Sequence, residues 1–161
     1  MAMVKTGRIV KIQAVANTLP PGVFLIRHFN NEGELSAVDP ANPNAFHDDS
    51  HFRLWEDNDT GAVKFEALRF PNKFLRHKNF SVLLEESTPG DSSFDDDSTF
   101  ISSGPNVGAV LDGTSSFRAF DTVKFPNFFI RHRDFHVFLN EVTQDDEQAK
   151  QDSTFKVLDE A

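Results

Sequence analysis

Histidine and aspartate recur in this chain at a nearly fixed separation, and together they could bind a hydroxyl-rich ligand. A carboxylate accepts hydrogen bonds from two neighbouring hydroxyls, and a neutral imidazole offers one donor and one acceptor. Three such pairs are therefore candidate pockets for molecules such as sugars. They are His28 with Asp49, His77 with Asp97, and His132 with Asp152, separated by 21, 20 and 20 residues.

These pairs also have a structural interpretation. In a strand, His77 lies on the same face as Leu75, so its imidazole can point inward and simply be tied to Asp97. The arginines that precede the three histidines, Arg27, Arg76 and Arg131, have the opposite parity. We expect them to project outward and form ion pairs, with carboxylate ligands such as uronic acids as a second interpretation.

The pairs belong to three imperfect repeats of about fifty residues. Phe74-Leu75-Arg76-His77 matches Phe129-Ile130-Arg131-His132, and Leu25-Ile26-Arg27-His28 is a weaker first copy. Each aspartate opens a second motif, Asp-Ser-Thr-Phe at 97–100 and 152–155 and Asp-Ser-His-Phe at 49–52. A Phe-Pro-Asn turn precedes the second and third copies at 70–72 and 125–127, where the first copy has Leu-Pro-Pro at 19–21. The repeats span roughly 1–57, 58–104 and 105–161 of a single domain.

The elements that position these residues are predicted to be short strands. Each repeat contains four segments rich in apolar and β-branched residues, and each segment is predicted to be a strand. The first precedes the proline turn, the second ends at the Arg-His pair, the third follows that pair, and the fourth lies at the Asp-Ser-Thr-Phe motif. Acidic stretches at 95–97 and 145–147 are assigned to solvated loops. Twelve strands in three equal units predict an all-β fold, and specifically a β-trefoil. The 18 phenylalanines, beside one tryptophan and no tyrosine, must build the core.

The net charge and the composition of the chain limit the classes of molecule that it is expected to bind. The net charge of −9 disfavours nucleic acid and anionic membranes. No segment resembles a membrane span, and no secretion signal is visible, so the chain as it stands is expected to be cytoplasmic, or secreted if a signal was removed. No cofactor is expected. The oligomeric state is left open.

Catalysis and metal binding are the weaker interpretations. Ser98 and Ser153 follow the aspartates, as in a hydrolytic triad, but no nucleophile elbow or oxyanion site is recognisable. Threefold repetition favours several weak binding sites over several active sites. His47 and His51 flank two aspartates and could chelate an ion if that loop is compact, yet no metal site is predicted.

The repeated Phe-Leu-Arg-His and Asp-Ser-Thr-Phe motifs resemble the arabinose-binding domain of arabinofuranosidase B-type enzymes, also called carbohydrate-binding module family 42. The resemblance covers nearly the whole chain and is strongest in the second and third repeats. It implies a β-trefoil that binds arabinofuranose side chains of glycans through His77 with Asp97, His132 with Asp152, and His28 with Asp49. Family members often have tyrosine where this chain has Phe74, Phe128 or Phe129.

Two functions follow as hypotheses. The first is non-catalytic carbohydrate binding, by a lectin or a carbohydrate-binding module, through the histidine and aspartate pockets. The second is a protein-interaction trefoil, such as a protease inhibitor or a cytoskeleton-binding module. In that case the loops at 104–115 or 141–151 carry the contact, and the pairs only hold the fold.

Overall fold

The computed structural model describes residues 3–42, 47–108 and 113–160. Within them lie twelve strands, two short α-helices and a 3-10 turn at His47–Asp49. The strands are Val4–Ala14 (β1), Phe24–Phe29 (β2), Glu32–Ala37 (β3), Phe52–Asp57 (β4), Ala62–Ala67 (β5), Lys73–Lys78 (β6), Ser81–Glu86 (β7), Phe100–Ser103 (β8), Thr114–Ala119 (β9), Phe128–Arg133 (β10), His136–Glu141 (β11) and Phe155–Glu160 (β12). The helices are Ser92–Asp97 (α1) and Glu147–Asp152 (α2). Neither helix is long or apolar enough to cross a membrane.

The all-β prediction is confirmed, but the prediction of a β-trefoil of three four-stranded repeats is wrong. Ten strands form one closed antiparallel barrel in the order β11-β3-β2-β1-β12-β9-β8-β5-β6-β7, and the pairing of Ser81 with Phe138 closes the ring. β4 and β10 lie outside it. Strand pairs cross the repeat boundaries, as where β1 pairs with β12, so a common barrel buries the apolar faces. The periodicity of the sequence predicts the number of strands, but it does not predict which strands pair with each other.

Three hairpins carry the histidines and share one register. β2 with β3, β6 with β7, and β10 with β11 each pair over six residues across a two-residue turn. Both central residues of each turn have positive φ, as type I′ turns require: Asn30 and Asn31, Asn79 and Phe80, and Asp134 and Phe135. The second turn residue accepts a backbone hydrogen bond from the next hairpin in all three cases, at 2.9 Å, which ties the hairpins into a ring.

Phenylalanine fills the barrel, as the composition predicts. Phe52, Phe65, Phe100 and Phe155 are fully buried, and Phe117 packs edge-on against Phe65 with ring centroids 5.2 Å apart. The four fully buried rings come from all three repeats, so the repeats share one core. This core fixes the inner ends of the strands that bear the candidate site residues.

Gly33 lies where three equivalent hairpin positions meet, and it leaves no room for a side chain. A Cβ atom there would lie 3.0 Å from the carbonyl oxygen of Val82 and 3.2 Å from Cβ of Val137. We expect Gly33→Ala to lower the free energy of unfolding by about 1–3 kcal/mol through overpacking. Thermal denaturation measures this. Gly104→Ala is the matched control, because nothing lies within 4 Å of its added Cβ, and a loss of stability in the control equal to that of Gly33→Ala would contradict the explanation.

Candidate functional site

Each candidate aspartate ends a short helical segment that packs on the strand bearing its histidine. Asp97 is the last residue of α1, Asp152 of α2, and Asp49 of the 3-10 turn. α1 contacts β6, α2 contacts β10, and the turn contacts β2. The carboxylates of Asp91 and Asp146 cap the two helices by accepting hydrogen bonds from the backbone N–H groups of residues 94 and 149. The acidic stretches assigned to loops therefore build these helices.

The arginine of each repeat binds the aspartate of the same repeat. Nη2 of Arg76 donates to Oδ2 of Asp97 at 2.5 Å, and Nη2 of Arg131 donates to Oδ2 of Asp152 at 2.5 Å. The corresponding bond from Arg27 to Asp49 is 2.9 Å. The arginines were expected to project outward. Instead they are largely covered, because the helical segments fold back over the strand face that carries them.

The three imidazoles are buried beside these pairs. Nε2 of His77 lies 3.6 Å from Oδ1 of Asp97, and Nε2 of His132 lies 3.8 Å from Oδ1 of Asp152. Both distances exceed that of a hydrogen bond. Nε2 of His28 is buried and has no hydrogen-bond partner among the described residues. The structure thus brings His77 close to Asp97 and His132 close to Asp152, but it does not join either pair by a direct hydrogen bond.

Burial keeps these histidines neutral. It lowers the pKa of His77 and His132 below the usual value, an effect that the adjacent aspartate partly offsets and the adjacent arginine reinforces. Burial lowers the pKa of His28 in the same way. A neutral imidazole has one donor and one acceptor nitrogen, which is the form that can exchange hydrogen bonds with a hydroxyl group.

The same burial predicts that the fold loses stability in weak acid. The unfolded chain binds protons on its histidines as the pH falls through about 6.5, whereas His28, His77 and His132 resist protonation until their lower folded-state pKa values. Stability is therefore complete above that window and falls within it, by at most about 1.4 kcal/mol per histidine and pH unit. Thermal unfolding at pH 7.5, 6.5 and 5.5 measures the effect. A melting temperature that stays constant over this range would contradict the assignment.

An aromatic ring from the following repeat forms a wall beside two of the histidines. The ring of Phe125 is 4.8 Å from that of His77, and the ring of Phe70 is 5.6 Å from that of His28. Leu19 is the sequence counterpart of these two rings in the first repeat, and it is partly buried against the core. Sequence reasoning treated these residues only as parts of proline turns. Phe70 and Phe125 each stand six residues before an Arg-His pair, which was the available signal, whereas Leu19 stands eight residues before Arg27.

The serines that suggested a triad have structural roles. Ser98 and Ser153 are fully buried, and their hydroxyls donate to the carbonyl oxygens of Phe94 and Ala149 at 2.8 and 2.7 Å. They close the C-terminal ends of α1 and α2. A hydroxyl engaged in this way is not presented to a substrate.

The side chain of His47 lies outside the described residues, so the chelating loop is described only in part. His51 is buried, with Nε2 3.6 Å from Oε1 of Glu160. Four cavities of about 270 to 430 Å³ occur elsewhere on the described surface, and none of the six predicted site residues lines them.

Comparison with known proteins identifies the family. The model of the α-L-arabinofuranosidase B (ABFB) domain matches residues 23–157, which is most of the chain. The chain belongs to the ABFB domain family. ABFB domains are carbohydrate-binding modules of arabinofuranosidases, which supports carbohydrate binding without catalysis. The family that the sequence motifs resemble is therefore confirmed.

Relatives of this ABFB domain are longer enzymes. The α-L-arabinofuranosidase B of Emericella nidulans is 35% identical over 72 residues, which are 45% of this chain and 13% of that enzyme. A GH54 α-L-arabinofuranosidase soaked with a cyclic sulfate inhibitor superposes with a TM-score of 0.74 at 18% identity, over 94% of this chain and 31% of that one. An arabinofuranosidase complexed with arabinofuranosyl-α-1,2-xylobiose gives 0.73 at 19% identity, over 94% and 30%. The chain thus spans less than a third of each of these relatives, and the structural likeness shows the fold alone.

Proposed function

We propose that this chain binds arabinofuranose-containing glycan side chains without catalysis, and that the pair of His77 and Asp97 is its principal site. The family supports carbohydrate binding, and the arabinofuranosyl-α-1,2-xylobiose in the complex of one solved relative suggests the sugar. The pairs His132 with Asp152 and His28 with Asp49 are proposed as secondary sites. The whole forms one domain of three repeats.

The observation that carries the proposal is the state of the Asp97 carboxylate. Arg76 holds Oδ2, whereas Oδ1 has no hydrogen-bond donor among the described residues, and the side chain is 26% exposed. Such a carboxylate is oriented by the protein but keeps an acceptor oxygen for a ligand hydroxyl. Charge-assisted hydrogen bonds of this kind contribute about 1.5–3 kcal/mol each. Nε2 of His77 and the ring of Phe125 lie close enough to complete a pocket for one sugar residue.

The aspartate of the third repeat is closed by a glutamine. Nε2 of Gln148 donates to Oδ1 of Asp152 at 2.8 Å and also to the hydroxyl of Thr18 at 3.0 Å, and the Asp152 side chain is only 7% exposed. A sugar would have to displace the amide before it reached the carboxylate. This site is therefore expected to bind more weakly than the second.

The aspartate of the first repeat is held by two arginines. Arg27 binds Oδ2 of Asp49, and Nη1 of Arg69 binds Oδ1 at 3.2 Å. Among the described residues, no second arginine forms an ion pair with Asp97 or Asp152, whereas Arg69 occupies the oxygen of Asp49 that a sugar hydroxyl would use. We place this site last of the three.

The closure of Asp49 and Asp152 favours the second candidate function, a protein-interaction module in which the pairs hold the fold. In that function the loops at 104–115 and 141–151 would carry the contacts, although residues 109–112 lie outside the described part of the chain. The helical segments explain why such pairs would be retained without a ligand, since each Arg-Asp bond fastens one segment to its strand.

Titration with an arabinofuranosylated xylo-oligosaccharide separates the two functions. We expect weak saturable binding by calorimetry, with nuclear magnetic resonance shifts centred on the imidazole of His77 and the ring of Phe125. The unsubstituted xylo-oligosaccharide is the control ligand and should not shift these signals. No binding of the arabinofuranosylated ligand at millimolar concentration would overturn carbohydrate binding of this kind and leave the protein-interaction function.

A further inference from the structure

An exposed phenylalanine lies beside the proposed principal site. Phe80, the second residue of the turn between β6 and β7, is 50% exposed. Its ring centroid is 6.0 Å from that of Phe125, and the ring of Phe125 is 4.8 Å from the imidazole of His77. Phe128, at the start of β10, lies 5.7 Å from Phe80 and 5.8 Å from Phe125. Phe80, Phe125 and Phe128 therefore form an aromatic cluster that extends from the pocket to the solvent.

The contacts within the aromatic cluster orient Phe80 without covering it. The ring of Phe80 stacks on that of Phe128 with an interplanar angle of 30° and meets that of Phe125 at 82°. Phe125 and Phe128 are partly buried against the barrel core. Two ring contacts on this base restrict the side chain, whereas half of the residue stays open to solvent. A restricted aromatic ring loses little conformational entropy when a ligand binds to it.

The first repeat lacks such a surface. Asn31 occupies the turn position of Phe80, and Lys73 occupies a strand position equivalent to that of Phe128. The ring beside the histidine of this repeat, Phe70, has two cations over it. The guanidinium carbon of Arg69 lies 5.5 Å from the ring centroid, and Nζ of Lys73 lies 5.1 Å from it. Among the described residues, no aromatic ring other than that of the histidine contacts Phe70.

The third repeat has a similar exposed ring that is separate from its histidine. Phe135 stands at the turn position of Phe80, is 49% exposed and stacks on Phe24 with ring centroids 6.0 Å apart. Among the described residues, no ring contact joins either of these phenylalanines to His132. The aromatic surface that continues from a histidine and aspartate pocket therefore belongs to the second repeat, which also has the open carboxylate oxygen of Asp97.

We propose that Phe80 and Phe128 bind the pyranose residue to which the arabinofuranose is attached, so that the site recognises a branch on a sugar chain. This inference rests on the proposed function. With the arabinofuranose held in the pocket, Phe80 lies one ring farther than Phe125 from the carboxylate of Asp97, where the next residue of the glycan would follow. The C–H face of a pyranose is apolar, and packing it on an aromatic ring removes both surfaces from water. Without the arabinofuranose, this contact alone is too weak to hold the chain.

Calorimetric titration with methyl α-L-arabinofuranoside and with arabinofuranosyl-α-1,2-xylobiose tests the inference. The first ligand fills only the histidine and aspartate pocket, whereas the second adds two xylose residues. We expect the unaltered protein to bind the second ligand about three- to tenfold more tightly. Nuclear Overhauser effects should also join the ring protons of Phe80 to protons of xylose. Equal affinity for the two ligands, or a tighter complex without these contacts, would overturn the inference and leave the proposed function intact. Binding of neither ligand would overturn the proposed function and the inference with it.

Phe80→Gly tests the ring directly and is compatible with the turn. Asn79 and Phe80 have φ angles of 51° and 66°, and the second residue of such a type I′ turn is commonly glycine. We expect the variant to lose the preference for the trisaccharide and to keep its affinity for methyl α-L-arabinofuranoside to within about twofold. Phe80→Leu keeps apolar packing on Phe128 and should lose the preference as well, so the test does not depend on the folding of the glycine variant. A retained preference, or equal weakening of both ligands, would overturn the inference.

Phe135→Gly is the matched control. Phe135 has the same turn position as Phe80, a φ angle of 62° and nearly the same exposure. This variant should keep the preference for the trisaccharide, because its ring is not joined to a histidine and aspartate pocket. Loss of the preference in Phe135→Gly but not in Phe80→Gly would place the sugar chain at the third repeat and contradict the role of Phe80.

Discussion

Asp97→Asn is expected to weaken binding of an arabinofuranosylated oligosaccharide by about ten- to a hundredfold. Asparagine keeps the shape of the side chain and one acceptor oxygen, but it removes the negative charge and leaves Arg76 with a neutral partner. If the asparagine oxygen faces Arg76, an amide nitrogen takes the place of the open carboxylate oxygen. Losing the charge-assisted bond between the ligand hydroxyl and Oδ1 costs about 1.5–3 kcal/mol, and each 1.4 kcal/mol is a factor of ten in affinity.

The equivalent substitutions in the other repeats are the matched controls for this prediction. Asp49→Asn should change affinity little, because both oxygens of Asp49 are already bound by arginine. Asp152→Asn should have an intermediate effect, since Gln148 competes for its carboxylate. Isothermal calorimetry gives the three affinities, and circular dichroism checks folding. If Asp152→Asn removed binding while Asp97→Asn did not, the order of the sites would be wrong.

The motifs do not predict that the three carboxylates differ in how open they are to a ligand. The regular spacing of histidine and aspartate correctly predicted that His77 lies near Asp97 and His132 near Asp152. The reason is that each repeat places its histidine on a hairpin strand and its aspartate at the end of the helix that packs on that strand. The motif residues are nearly identical around Asp97 and Asp152, yet Gln148 donates to Oδ1 of Asp152, whereas no described residue donates to Oδ1 of Asp97. Arg69 plays the same part at Asp49 from the start of the next repeat. The residues that decide which site is open lie outside the motifs.

The arginines were misplaced for a different physical reason. Strand parity correctly separates the faces of Arg76 and His77, but it does not say what covers the outer face. A six-residue helix such as α1 gives no readable apolar period, so nothing in the sequence showed that it packs on β6 and brings Asp97 onto Arg76. The aspartate at position 91, three residues before the amide that it caps, was the one local signal of that helix.

The choice of barrel over trefoil has the same origin. The sequence predicts the hairpins well, because turn residues and alternation are local properties, as at Asn79 and Phe80. The pairing of strands from different repeats depends on contacts such as that between Ser81 and Phe138. These two residues are more than fifty positions apart, and the local sequence pattern does not predict their contact. The family resemblance implied a trefoil, so it shared this limit.

Asp152→Ala is expected to lower the free energy of unfolding by about 3–5 kcal/mol, the largest stability effect of any candidate site residue. The bond between Asp152 and Arg131 is the most buried of the three, with side chains 7% and 10% exposed. Removing the carboxylate leaves the Arg131 guanidinium buried without a counter-charge, and Nε of Arg131 already lacks a partner among the described residues. Gln148 loses one of its two hydrogen-bond acceptors as well.

A double-mutant cycle with urea unfolding separates this penalty from the loss of contacts. Asp152→Ala combined with Arg131→Leu should recover much of the lost stability, because no buried charge is then left unpaired. Glu147→Ala on the same helix is the control and should change stability by less than about 0.5 kcal/mol, since Glu147 is exposed. Additive losses in the double variant would mean that the two charges are not coupled. A recovery would show that the buried Arg131–Asp152 pair fastens α2 to β10, so that the carboxylate proposed as a secondary binding site also stabilises the fold.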